Sequence, residues 1–262
     1  MKIYRTPVTI YFLLLLGFSL GWGVALQFIA DKTTVWNYLY NLVYGLLFLS
    51  GAAVGISNGI KLKLKNTIGK ALLFLGLGLL VWAIGLVVWV YYNLILNVEI
   101  PFPSIADIFF VLIYPLLGIG CYFFLKLFSP IIPRKFLIES LVIIVVAFVA
   151  IFIVFLRPDL SADLSWLTRV INVAYPMGDV VLVSMSLIAV RLCGGRIHAS
   201  LLVLAAGFLI QAVADFTYTY RTASEVYWNG DIADILYTFG GFTISMGVVG
   251  LTNSLGNGDN KV

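Results

Sequence analysis

The sequence predicts an all-α fold, a polytopic membrane bundle of eight transmembrane helices built as two parallel four-helix repeats. Three observations predict it. Hydrophobic residues make up 62% of the chain and charged residues 11%, with mean hydropathy +1.07; an ordinary soluble domain carries roughly 25% charged residues. The apolar residues gather into eight runs, each near the ~20 residues that cross a bilayer. Short motifs recur at nearly one spacing along the chain. A soluble fold of this length would have to leave many of its 19 Phe and 14 Tyr exposed.

The eight spans are predicted over 7–30, 38–60, 70–93, 105–128, 136–156, 168–192, 198–220 and 231–251. They form one transmembrane domain over 1–252, followed by a polar cytoplasmic tail over 253–262. The first run follows Lys2 and Arg5, as a signal peptide would. Its apolar core is longer than a usual signal h-region and no small-x-small cleavage site follows, so it reads as a retained helix.

Orientation follows from Lys and Arg. Twelve of them fall on one side and four (Lys32, Arg157, Arg169 and Arg221) on the other. The richer side is cytoplasmic, which places both termini inside a cell membrane. The net charge of +4 gives no reason to expect nucleic acid, because the basic residues sit in short loops beside apolar runs.

Cys121 and Cys193 lie toward the cytoplasmic ends of their helices and read as small apolar packing residues. His198 is the single histidine, at the cytoplasmic entry of the seventh span. That count excludes a multi-histidine metal site, and the two cysteines and carboxylates have no metal-ligand spacing. No metal and no cofactor is expected.

The repeat rests on two matches. Ile105-Ala106-Asp107-Ile108 recurs 127 residues later as Ile232-Ala233-Asp234-Ile235, and Asn41–Gly45 resembles Asn172–Pro176 at a spacing of 131. Each match opens or occupies an even-numbered span, so the halves, about 1–130 and 131–252, run parallel. Gly51, Gly55 and Gly59 form a small-residue stripe, read as a packing face within the chain. Pro115 and Pro176 remove backbone donors and are expected to kink their helices. Trp82, Trp89, Tyr91 and Tyr92, with Trp36, Trp166, Tyr227 and Trp228, read as an aromatic belt or as rings that stack on a ligand.

The carboxylates carry the functional expectation, since an ionisable group in hydrocarbon is costly. Asp179 lies near the middle of the sixth span, beside the Tyr175-Pro176 break, and is the first candidate. Asp215 follows. Asp107 and Asp234 are expected to line the rim of an outward-facing pocket, with Tyr114, Tyr175 and Tyr218 as hydrogen-bond partners. Tyr175 and Asp179 are four apart on one helical face, so the phenol could satisfy that carboxylate. Asp107, Asp231 and Asp234 have an alternative role as helix caps; Ser104-x-x-Asp107 has capping-box spacing.

PSIADIFFVLIYPLLGIG, AYPMGDVVLV, VADFTYTY and YWNGDIADILY follow one another in order over roughly residues 70 to 251. Together they resemble an N-terminal multi-pass membrane region found in bacteria ahead of GGDEF-type diguanylate cyclase and histidine kinase domains. The resemblance implies a sensor-type module. Its recurring positions fall on Asp107, Tyr114, Pro115, Tyr175, Pro176, Asp179, Asp215, Tyr218 and Asp234. No catalytic output domain is in this sequence, so a signal would pass through a partner protein. The expected function is a stand-alone sensor-type module that binds a ligand or partner through an acidic and aromatic pocket, with membrane lipids around it. Proton-coupled transport is the alternative, supported by two related halves and a midplane Asp. An intramembrane lipid enzyme stands third, since carboxylates can do acid–base work but no nucleophile motif is present.

Overall fold

The computed structural model of the chain describes residues 7–63, 65–98, 101–128, 134–151, 153 and 164–256. Its α-helices are α1 (Pro7–Gln27), α2 (Val35–Lys61), α3 (Thr67–Tyr91), α4 (Ile105–Phe128), α5 (Arg134–Ile151), α6 (Trp166–Leu192), α7 (Gly195–Ala223) and α8 (Ile232–Gly256). α3 runs on into a π-turn, Tyr92–Leu96, which stops where Asn97 takes left-handed backbone.

Polar side chains set the helix ends. The Asn66 side chain accepts from the Ile68 N–H at the start of α3, and Ser165 accepts from the Thr168 N–H at the start of α6. Each occupies one of the N–H groups that a helix start leaves without an intrahelical partner. Lys32 closes the other end of α1, donating to the carbonyls of Leu26 and Gln27. His198 Nδ1 lies 3.0 Å from the carbonyl oxygens of Val190 and Cys193. The lone histidine therefore caps the end of α6.

Seven of these helices, all except α5, are long and apolar enough to cross a membrane. α5 holds Arg134, Lys135 and Glu139 in its 18 residues. Most of the predicted fifth span beyond Ile151 lies outside the described residues. Two helices start earlier than the apolar runs indicate, α2 at Val35 rather than 38 and α7 at Gly195 rather than 198, while α1 ends at Gln27 rather than 30. At the start of α2 the extra turn carries Asn37, which is buried yet hydrogen-bonded, so hydropathy undercounts it.

Six helices close a ring in the order α2, α3, α4, α6, α7, α8, with α8 returning to α2. α1 lies outside the ring against α2 and α8, and α5 lies outside it against α6. The interior is filled from i, i+3 and i+7 rows: Leu72, Leu75 and Leu79 on α3, and Leu201, Leu204 and Phe208 on α7. Phe48 and Trp82 stack at 5.0 Å with an interplanar angle of 8°. α1 turns Leu13, Leu14 and Phe18 outward, as a lipid-facing helix should.

Small residues let the helices approach. A Cβ at Gly55 would sit 2.9 Å from the Gly76 Cα, and one at Gly76 would sit 2.7 Å from the Ile56 nitrogen. Gly59 meets the Leu73 backbone, while Gly51 meets Ser245 of α8. The stripe of α2 glycines is therefore used within the chain. The α3–α4 and α7–α8 seams share a pattern. Gly78 lies against Leu117 and Gly120 against Leu75; Gly207 lies against Ile244 and Gly247 against Leu204. α4 and α6 continue through Pro115 and Pro176 as helices.

Candidate functional site

The candidate site occupies the end of the ring where α2, α4, α6 and α8 begin and α3 and α7 finish. Helix direction places its acids. Side chains on a helix lean toward its N-terminus, so residues early in α4, α6 and α8 lean toward this end.

Asp107 is held by its own helix start and by α6. Its Oδ2 accepts from the Ser104 N–H at 2.6 Å and from the Ser104 hydroxyl at 2.8 Å. Its Oδ1 accepts from the Tyr175 phenol at 2.7 Å. Capping and a cross-helix contact thus coexist in one carboxylate. Tyr175 does not serve Asp179, one turn further along α6. Its ring leans toward the start of α6 and reaches α4 instead.

Asp179 and Asp215 meet each other. Their carboxyl groups lie close enough to interact with each other, and Asp179 also lies beside the Tyr114 phenol. Asp215 further accepts from the Tyr114 phenol at 3.1 Å and from the Tyr237 phenol at 2.6 Å. Two carboxyl groups so placed can bond to each other only with a proton between them. α4, α6, α7 and α8 each contribute one member.

Asp234 accepts from the Gly230 N–H at 2.6 Å and from the Tyr227 phenol at 3.3 Å. Gly230 has φ +100°, a conformation that glycine tolerates and side chains resist. Asp231 starts α8, accepting from the Ala233 N–H at 2.7 Å and from the guanidinium of Arg221. Burial pushes the Asp231 carboxyl above its ordinary value, while Arg221 and the Ala233 N–H oppose that rise. Asp107, Asp179, Asp231 and Asp234 are at most 8% exposed, so each depends on these partners.

The segment 227–231 crosses this end of the ring. The Asn229 side-chain oxygen accepts from Asn41 at 2.9 Å and from the Trp89 indole at 2.7 Å, and its carbonyl accepts from Asn37 at 3.0 Å. The Gly230 carbonyl accepts from Gln27 at 2.8 Å. Lys32 lies 4.2 Å from the centroid of the Trp228 ring. One loop is thereby bound to α1, α2 and α3.

Tyr218 differs from its expected role. It packs against the rings of Tyr227, Trp89 and Tyr237, the nearest at 4.8 Å. Its direction along α7 turns the phenol into this aromatic group rather than onto a carboxylate. Tyr237, Asn229 and Gln211 were not singled out from the sequence. Gln211 had a signal, a lone amide in the apolar run LLVLAAGFLIQAVA. Tyr237 and Asn229 sit in the motif YWNGDIADILY, where neither carries a hydropathy signal of its own.

Beneath the acids, all six ring helices meet at a cavity of about 10 Å³ beside Asp179 and Gln211. Gln211 and Trp82 line this cavity, and the Gln211 amide and the Trp82 indole N–H are buried without a hydrogen-bond partner among the described residues. About this volume suffices for one water. Among the described residues, no group of three His, Cys, Asp or Glu side chains could hold a metal ion. The site is thus a set of carboxyls, phenols and amides joined by hydrogen bonds across the ring. No protein-family model, curated protein or solved structure matches the chain.

Proposed function

We propose that this protein is a sensor-type membrane module whose sensing element is the carboxyl–phenol network around Asp179. The observation that carries the reading is the buried carboxyl of Asp215 held by the phenols of Tyr114 and Tyr237, with buried Asp179 beside Tyr114 at the same cavity. Such a pair has two protonation states that differ in the hydrogen bonds they accept. α4, α6, α7 and α8 each hold one of these groups, so a change at the pair biases four helices. The resemblance to membrane regions that precede cyclase and kinase domains supports the same reading. A partner protein would carry the output.

The module has eight spans in two parallel halves, with both termini cytoplasmic and the acidic end facing outward. Ring order is consistent with the halves: exchanging α2, α3 and α4 with α6, α7 and α8 keeps the order around the ring, although the α3–α8 contact has no counterpart of like extent. The glycine seams support it too, since Leu117 and Ile244 have the same 127-residue spacing as Asp107 and Asp234. Reporter fusions after residue 64, after residue 132 and at the C-terminus should all report inside. An outside signal from the C-terminal fusion would remove the even-span topology.

Proton-coupled transport is the second reading, favoured by the same carboxyl pair within a two-fold ring. Asp179→Asn separates the two. It keeps the side-chain shape and removes the carboxyl group. Fused to a diguanylate cyclase domain, the wild-type chain and Asp179→Asn should give different cyclic diguanylate outputs. Glu139→Gln, far from the site, should match the wild type. Thermal unfolding of Asp179→Asn should shift by no more than about 1 kcal/mol, since Asn retains hydrogen bonding. Equal outputs from the two chimeras, or proton flux in proteoliposomes that Asp179→Asn abolishes, would reject sensing.

A further inference from the structure

A groove of about 470 Å³ runs between α4 and α6. That is within the roughly 300–1,000 Å³ of small-molecule sites. Tyr114, Pro115 and Gly118 form one wall, and Met177, Gly178 and Met185 form the other. It lies within the membrane-crossing lengths of both helices. It is continuous with the lipid-facing surface, because Ile119 and Tyr122, which border it, are 37% and 52% exposed. What enters at this depth comes from the hydrocarbon.

The corresponding seam on the other side of the ring is shut. The counterpart of Gly118, by the 127-residue spacing, is Ser245. Its hydroxyl donates to the Leu47 carbonyl at 2.9 Å and lies 2.2 Å from where a Gly51 Cβ would be. α1 lies along α2 and α8 there. A Cβ at Gly118 would have no atom within 4 Å. This contrast rests on the two-halves reading above; the groove itself does not.

We propose that the groove binds one acyl chain of a membrane lipid, and that Tyr114 transmits its occupancy to the Asp179–Asp215 pair. The ring of Tyr114 is the partition. It packs against Gly178, whose added Cβ would sit 2.2 Å from the ring, and it lines both the groove and the central cavity. Its phenol is bonded to Asp215. A chain lying on the groove side of the ring restricts its swing and holds the phenol on the carboxyl. Met177 and Met185 give the opposite wall a flexible apolar surface that adapts to a chain.

The test uses the full chain in detergent micelles, titrated with a phospholipid carrying a photoactivatable group midway along one acyl chain. Adducts are mapped by mass spectrometry. Labelling should saturate at Met177, Met185 and Tyr122. Gly118→Phe fills the groove without a clash and should weaken apparent affinity about ten-fold. Gly17→Phe adds the same ring on α1, where a Cβ also meets nothing within 4 Å, and should leave labelling unchanged. Lipid should also shift the carboxyl infrared band of the pair in the wild type and not in Gly118→Phe. Labelling that never saturates, or that Gly118→Phe leaves intact, overturns the proposal. So does a disulfide from Gly118→Cys to a cysteine on α5, which would assign the groove to that helix. Saturable labelling with chimera outputs indifferent to Asp179→Asn would leave the lipid site standing and remove the sensor reading.

Discussion

Arg221→Met should destabilise the protein by about 3 kcal/mol at neutral pH, because it strands a buried carboxylate. Asp231 is 1% exposed, and the Arg221 side chain is 27% exposed. The methionine keeps most of the stem and removes the guanidinium. It also removes the Arg221 bond to the Val226 carbonyl, 2.9 Å long, which holds the approach to α8. Burial already raises Asp231, and Arg221 is the leading opposition. Without it, the folded-state value rises further. A raised folded value gives stability that is full below the unfolded value and is lost as pH rises through the folded one. The deficit of Arg221→Met should therefore be largest at neutral and higher pH and shrink toward the ordinary Asp range. Unfolding in mixed micelles across that pH range measures it. A deficit that grows on acidification would contradict this account.

Gly76→Leu should be at least as damaging, about 3 kcal/mol or more, beyond the usual cost of overpacking. The obstacle is backbone. A Cβ at Gly76 meets the Ile56 nitrogen at 2.7 Å and the Ala52 carbonyl at 3.0 Å. No rotamer change relieves that, so α2 and α3 must separate, and Gly55 and Gly59 lose their contacts with α3. Gly21→Leu on α1 is the matched control. Its Cβ meets nothing within 4 Å, and the change should stay within about 0.5 kcal/mol. Equal stability of the two variants would show that the glycine stripe is not a packing seam.

The membrane class was legible because hydrocarbon leaves few choices: long apolar runs with satisfied backbones read as helices directly. Asp107, Asp179, Asp215 and Asp234 were legible for the same reason, as charges where charge is expensive. What hydropathy does not carry is direction. Tyr175 lies one turn from Asp179, yet bonds to Asp107, because its lean along α6 matters more than sequence spacing. Tyr218 packs among the rings of Trp89, Tyr227 and Tyr237, which only the folded ring brings around it. Asn229 escaped notice because a loop amide is ordinary in sequence. Only the ring brings Asn37, Asn41 and Trp89 around it. Neighbour order was likewise hidden, since nothing in the apolar runs says that α8 meets α2.

That closure has a consequence for biosynthesis. α1 is synthesised well before one of the two helices it rests on, α8, which follows more than 200 residues later. The Asn229 and Gly230 bonds to Asn37, Asn41 and Gln27 span 188 to 203 residues. Until they form, these amides remain at the membrane surface, open to water. The earlier helices thus form an open arc, and insertion of α8 converts the arc to a ring. Contacts of such separation slow folding. During that interval the apolar flank of α2 is bare and available to another nascent chain or to an insertase.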